Sequence, residues 1–287
     1  MIVELIQQIF NGLVMGSVYV LVALGLTVIF GILGVAHFAH GSVAMFGGYV
    51  TYFLAQKFGL TLFPAMFLAM PVGALLGVLI ERLAYRPVRD APHINAFIIA
   101  LGLSLLIDKV NLLAFGADQV VIPSPYRRVI EVGGVAMTEL RLYILTTAIA
   151  LVVAMGLVIQ KTKIGKAVRA VAQNRPAAIL MGVNVEQISL VVFGLSSALG
   201  IAAGALIGAL FAVAPGVADG LTIKGFAVLI LGGLGSFPGA IIGGLVLGVS
   251  ESLAAGLISS AYKDVIAFLI MIVVLLFRPE GLMGKRS

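Results

Sequence analysis

The chain has 287 residues, 61% of them hydrophobic and 10% charged, with a mean hydropathy of +1.19. That balance excludes a soluble globular domain, which needs far more charge to cover its surface. The net charge of +6 sits in short loops rather than in a nucleic-acid-binding patch, and the absence of cysteine excludes disulfide and thiol chemistry.

Apolar runs of about 20 residues, the length that crosses a bilayer, recur from end to end. They fall at about 9–31, 38–56, 60–80, 94–115, 141–160, 186–212, 223–237, 239–258 and 262–278. A membrane barrel would alternate polar and apolar residues instead. The expectation is an all-α polytopic membrane protein of about nine spans (eight to ten), forming one transmembrane domain over 1–287. The polar connections at 116–140 and 162–185 leave no room for a soluble domain, and "MIVELIQQIF" lacks the basic region of a cleavable signal.

Three basic regions set the orientation. Arg82, Arg86 and Arg89 share one loop; Lys161, Lys163, Lys166, Arg169 and Arg175 fill a second; Arg278, Lys285 and Arg286 close the chain. The positive-inside rule places all three in the cytoplasm. Even numbers of spans separate them, and three precede the first, so the N-terminus is expected outside. Arg127, Arg128 and Arg141 argue mildly against this, but Asp118, Glu131 and Glu139 share their loop.

Two spans end in polar breaks, at 34–42 ("GVAHFAHGS") and at 214–222 ("APGVADGLT"), and each break is followed by a glycine pair, Gly47–Gly48 and Gly232–Gly233. If these correspond, the chain divides into halves at 1–140 and 141–287. An odd offset of five crossings then makes the repeat an inverted one, with broken or re-entrant helices at its centre. Two unrelated glycine-rich turns would look the same. Run 223–237 is short and reads as a half-helix or re-entrant segment. Gly12/Gly16, Gly200/Gly204/Gly208 and Gly244/Gly248 recur every fourth residue, a spacing that lets helices approach closely in lipid.

No catalytic constellation is present. His37 and His40 stand three apart, but no third ligand completes a metal set, so they read as polar helix-end residues or pore lining. No Walker A pattern exists, so the chain is not expected to bind ATP in that way by itself, and no cofactor is expected on it. Among ionisable residues inside spans, Lys109 and Lys224 read as snorkelling and Asp108 as neutralising its neighbour, while mid-span Glu251 is open between packing and function. His37, His40, Ser42, Asp219, Thr222 and Glu251 are the candidates for lining an aqueous path. After Pro176, Ala177–Met181 reads as a short amphipathic helix ended by Gly182. Its apolar face suits a groove in a partner or the lipid surface.

The stretch "PAAILMG" is similar to the coupling-loop core of ATP-binding-cassette importer permeases: two alanines, three residues, then glycine. "FNGLVMGSVYVLVALGLTVIFGILGVAHFAHGSV", "IERLAYRPVR", "GKAVRAVAQNRPAAILMGVN", "LILGGLGSFPGAIIGG", "YKDVIAF" and "RPEGL" follow in order over nearly the whole chain. Together they resemble the branched-chain amino acid permease family of the LivH type. His37 departs from the pattern, where the family often has Asn before "FAHG".

The resemblance implies a permease for branched-chain or related small amino acids in a bacterial or archaeal cytoplasmic membrane. It implies a homologous second permease, two cytoplasmic ATPase subunits and an extracytoplasmic substrate-binding protein as partners, with no nucleic acid. It also implies that Arg169, Asn174, Arg175, Pro176, Ala177, Ala178 and Gly182 form the ATPase-coupling loop. A stand-alone secondary transporter or channel is the alternative, and it has no need of an ATPase-docking helix.

Overall fold

The computed structural model describes residues 2–89, 91–214 and 216–284. The basic residues Lys285 and Arg286 lie outside that range. Every one of the nine apolar runs forms a helix: α1 (Ile2–Leu33), α2 (His40–Phe58), α3 (Leu62–Ile80), α4 (His93–Phe115), α5 (Glu139–Lys161), and, beyond a pair of shorter helices, α6 (Lys163–Gln173) and α7 (Arg175–Leu180), α8 (Val185–Leu210), α9 (Val217–Gly232), α10 (Phe237–Leu257) and α11 (Lys263–Phe277). Among the described residues, seven helices are long and apolar enough to cross a membrane. The two that are not are α2 and α9, the helices that resume after the breaks. With 16 residues, α9 is about 24 Å long, short of the roughly 30 Å of hydrocarbon.

Helices α1 and α8 are the buried centre. α1 lies against α10, α8 and α9, and α8 lies against α3, α2 and α1. The glycine stripes make these contacts, as their spacing predicted. Gly12 and Gly16 of α1 meet Val249 and Gly244 of α10, and a methyl group on Gly204 of α8 would overlap the carbonyl of Ala44 in α2. With no hydrophobic effect between helices in lipid, such close backbone approach supplies the association energy. Helices α4, α5 and α11 turn Leu113, Val153, Leu269 and Leu276 outward as a lipid-facing belt.

Four sequence expectations are corrected. The two breaks are narrower than the polar stretches that marked them, covering 34–39 and, in the second, 211–214 with Gly216; His40–Ser42 and Asp219–Thr222 already belong to helices. Polarity there marks buried contacts, not loss of helix: the Thr222 hydroxyl donates back to the Ala218 carbonyl at 2.9 Å and is satisfied within α9. The two glycine pairs are not equivalent. Gly47 and Gly48 lie inside α2 against Ile201 and Val213, whereas Gly233, at φ +104°, ends α9. The chain is also not wholly helical. Val129–Val132 (β1) and Val135–Thr138 (β2) form an antiparallel hairpin around Gly133 and Gly134, both at positive φ. Two glycines between β-branched runs are a hairpin signal. Finally, the 162–185 connection holds a second helix, α6, capped by the Thr162 hydroxyl, which accepts from the Gly165 N–H at 3.0 Å.

The breaks are braced. Gly34, at φ +65°, closes α1 with its N–H on the Phe30 carbonyl at 2.8 Å. Val120 and Val213 exchange backbone hydrogen bonds of 2.9 and 2.7 Å, and the Ile122 N–H reaches the Gly208 carbonyl at 3.1 Å. The 116–128 connection thus dips inward and satisfies backbone groups freed at the second break.

Candidate functional site

The two resumed helices begin side by side. Gly41, in the first turn of α2, abuts the Thr222 hydroxyl and the Ala218 carbonyl of α9 so closely that any Cβ would overlap both. The Thr222 hydroxyl also lies 3.4 Å from the Phe38 carbonyl in the first break. Phe38 stacks on Phe226 of α9 with ring centroids 4.5 Å apart. Neither helix start has a side-chain cap. Two sets of first-turn N–H groups therefore converge inside the bundle.

The histidines separate in role. His37 Nδ1 lies 2.8 Å from the Tyr85 hydroxyl, and its ring packs edge-on to Phe193. His40 is fully buried between Gly25 of α1 and Gly200 of α8, and neither ring nitrogen has a protein hydrogen-bond partner among the described residues. Unpartnered polar groups at such depth are costly, and they persist where a site needs them. Ser42 Oγ lies 2.9 Å from Ser104 Oγ of α4. Asp219 is exposed on the first turn of α9 and lines a cavity of about 220 Å³ with Asp108 and Asn111 of α4.

Glu251 stands apart from this group. Tyr19 donates its hydroxyl proton to Glu251 Oε2 at 2.8 Å. Lys224 Nζ reaches the same oxygen at 2.9 Å, the Tyr19 hydroxyl at 3.1 Å and Asp264 Oδ1 at 2.9 Å. Lys224 therefore does not snorkel; it bridges two carboxylates and sits 5.2 Å over the Tyr19 ring. With three helices converging on Glu251, that carboxylate is neutralised in place.

In the connection between α5 and α8, Asn174 caps α7 by accepting from the Ala177 N–H at 2.9 Å, and Pro176 occupies the first turn. Ala178 is buried against Val171 and Val185. Gly182, at φ +82°, turns the chain back, with its N–H on the Ile179 carbonyl at 2.9 Å. The Arg169 guanidinium contacts the Ile159 carbonyl and ties α6 to the end of α5. Arg175 is the first residue of α7. Leu180 and Met181 are left 87% and 85% exposed at the tip. Beside them, Arg86 pairs with Glu186, and Arg89 bridges Glu186 at 3.7 Å and buried Glu81 at 2.6 Å. Sequence reading had not singled out Glu81, Tyr85 or Glu186. Glu81 and Tyr85 lie in a π-helical turn (Glu81–Tyr85), a form that concentrates at functional positions, and both fall within the quoted stretch "IERLAYRPVR".

A family model described as a branched-chain amino acid transport system permease component matches residues 8–275. The high-affinity branched-chain amino acid transport system permease protein LivH of Escherichia coli K12 is 35% identical over 294 aligned residues, covering 98% of this chain and 96% of that protein. The permease protein BraD of Pseudomonas aeruginosa is 36% identical with the same coverage. A probable branched-chain amino acid transport permease, LivH of Methanocaldococcus jannaschii, is 34% identical over 96% of this chain and 91% of its own length. No solved structure matches the chain.

Proposed function

The chain belongs to the family of branched-chain amino acid transport permeases and is the permease component of an importer, and we propose that its substrate passes where the two broken helices meet. The observation that carries this reading is the contact of Gly41 with Thr222 and Ala218. Helix N-termini attract a carboxylate, free carbonyls receive an ammonium, and broken helices bring both to membrane depth. His40, buried without a protein partner beside this contact, supplies further polarity.

The order of packing supports an inverted repeat that relates α1–α4 to α8–α11. α1 lies on α10 as α8 lies on α3, α1 lies on α9 as α8 lies on α2, and α2 lies on α3 as α9 lies on α10. In this reading all nine membrane helices count, α2 and α9 being the short central ones. The N-terminus is outside, and the basic loops at 82–89 and 161–175 are cytoplasmic. α7, with its exposed Leu180 and Met181, docks into an ATPase subunit. ATP and Mg belong to two such subunits, a second permease completes the path, an extracytoplasmic receptor delivers substrate, and the complex sits in a cytoplasmic membrane. The sequence features fit branched-chain amino acids as cargo.

The test is uptake by the assembled complex in proteoliposomes. His40→Ala is expected to lower leucine uptake with assembly intact, whereas normal uptake removes the breaks from the path. This chain reconstituted alone should not transport; leucine flux from it alone would favour a stand-alone carrier.

A further inference from the structure

The cavity between α2, α4 and the start of α9 has a volume of about 220 Å³ and an unbalanced set of polar groups. Asp108 and Asp219 line it from different helices, Asp108 half-buried and Asp219 exposed. Among the described residues neither forms an ion pair. Lys109, exposed and in the same lining, is one cation for two carboxylates and cannot neutralise both. Asn111 is 4% exposed, lines the same cavity, and has no partner for either amide atom among the described residues. Met45 and the buried ring of Tyr49 form the apolar wall. The contrast with the cavity beside Glu251 is direct: there Lys224 already bridges the carboxylates, and no ligand is required.

We propose that this cavity is a binding site for the substrate amino acid, with Asp108 and Asp219 receiving its ammonium, Asn111 and Lys109 its carboxylate, and Met45 its aliphatic chain. The lining holds two carboxylates against one ammonium, that of Lys109. A zwitterion brings a second ammonium for the carboxylates and an acceptor for the Asn111 amide together. Charge-assisted contacts then fix the head group, while the apolar wall accepts a branched chain without demanding one shape. The site rests on the path proposed above, since it opens beside the first turn of α9, and it gives a role to Asp108 and Lys109, which sequence reading assigned to mutual neutralisation and snorkelling.

The experiment uses the full complex of this chain with its second permease, ATPases and receptor. Asp108→Asn with Asp219→Asn is expected to lower leucine uptake at saturating loaded receptor by about ten- to a hundredfold, the loss of one or two charge-assisted contacts. The chain has no cysteine, so Leu112→Cys, in the cavity lining, provides a single thiol. Leucine should slow its labelling by a maleimide, and 4-methylpentanoate, which lacks the ammonium, should not. Wild-type uptake by the double aspartate variant overturns the site. So does lost uptake without protection by leucine, which marks a structural role, or equal protection by 4-methylpentanoate. If the aspartate variant fails to assemble, the labelling alone decides. His40→Ala in parallel separates the two readings: impaired there with normal uptake in the aspartate variant, the path stands and this site falls; normal uptake in both removes the path as well.

Discussion

Among the described residues, two groups of ion pairs sit in different surroundings. Of those beside α7, Arg86 and Glu186 are 41% and 49% exposed, whereas Arg89 and Glu81 are 11% and 1% exposed. In the membrane cluster, the Lys224 and Glu251 side chains are 15% and 8% exposed, and Tyr19 closes the network. Water competes for Arg86–Glu186 and hardly for Lys224–Glu251. The same 2.9 Å geometry between Lys224 and Glu251 that would be worth little at a surface becomes, in the bundle, costly to break by halves. The lesson concerns removal more than presence: a buried pair adds little over an apolar pair of the same shape, but half of one is severely destabilising.

The largest expected effect follows from that asymmetry. Lys224→Met leaves Glu251 buried and uncompensated, and is expected to cost about 3–5 kcal/mol. Lys224→Met combined with Glu251→Gln should recover most of it. Thermal unfolding of the detergent-purified complex measures both; a single-variant loss below about 1 kcal/mol would mean that water reaches the pair and would break the contrast. Next comes Tyr19→Phe, which removes one donor from the Glu251 carboxylate at 2.8 Å and should cost about 1.5–3 kcal/mol, the range for a hydrogen bond to a charged group. A loss equal to that of Lys224→Met would show that the network acts as one unit rather than through its central lysine.

Leu180→Asp sharpens the comparison from the other side. Leu180 is 87% exposed in the chain, so a charge there should change its stability by no more than about 0.5 kcal/mol. In the assembled complex the same change is expected to lower ATP-coupled uptake, because an apolar tip in a partner's groove would become an unpaired buried charge. Coupled uptake at the normal rate would place α7 against lipid instead. Gly182 is a weaker probe than its motif position suggested. No neighbour lies within 4 Å of a Cβ there, but φ is +82°, so any side chain strains the turn before it meets a partner.

The helices were legible because each rests on a local signal. Twenty apolar residues make a span wherever they pack, and all nine runs became helices. The glycine stripes were legible for the same reason, since their spacing alone puts Gly12 and Gly16 on one face. The Pro176 start and the Gly182 end of α7 were each readable from neighbours within four residues, while the Asn174 cap was not singled out. The pairings were not. Lys224 finds Glu251 from another helix and Tyr19 from a third, 205 residues away, and a lone lysine in an apolar run looks the same whether it snorkels or bridges. Breaks were located but drawn too wide, because His40, Ser42 and Thr222 are polar for tertiary reasons while their backbones stay helical.

The smallest effect belongs to Arg86→Ala. The Arg86–Glu186 pair joins the connection after α3 to the start of α8, next to α7. With both side chains in water the attraction is screened beyond about 8 Å at physiological salt, and holding two long side chains in one geometry costs entropy. Loss of the pair should therefore lower the stability of the chain by about 0–1 kcal/mol, and the difference from wild type should vanish at roughly 1 M salt. Glu186 does not become an orphan, because Arg89 remains 3.7 Å from it. Unfolding measured at low and high salt tests this on the purified chain and again on the assembled complex. If the cost rises above about 2 kcal/mol only in the complex, a docked subunit has excluded water from the pair, and Arg86–Glu186 has become the same kind of pair as Lys224–Glu251.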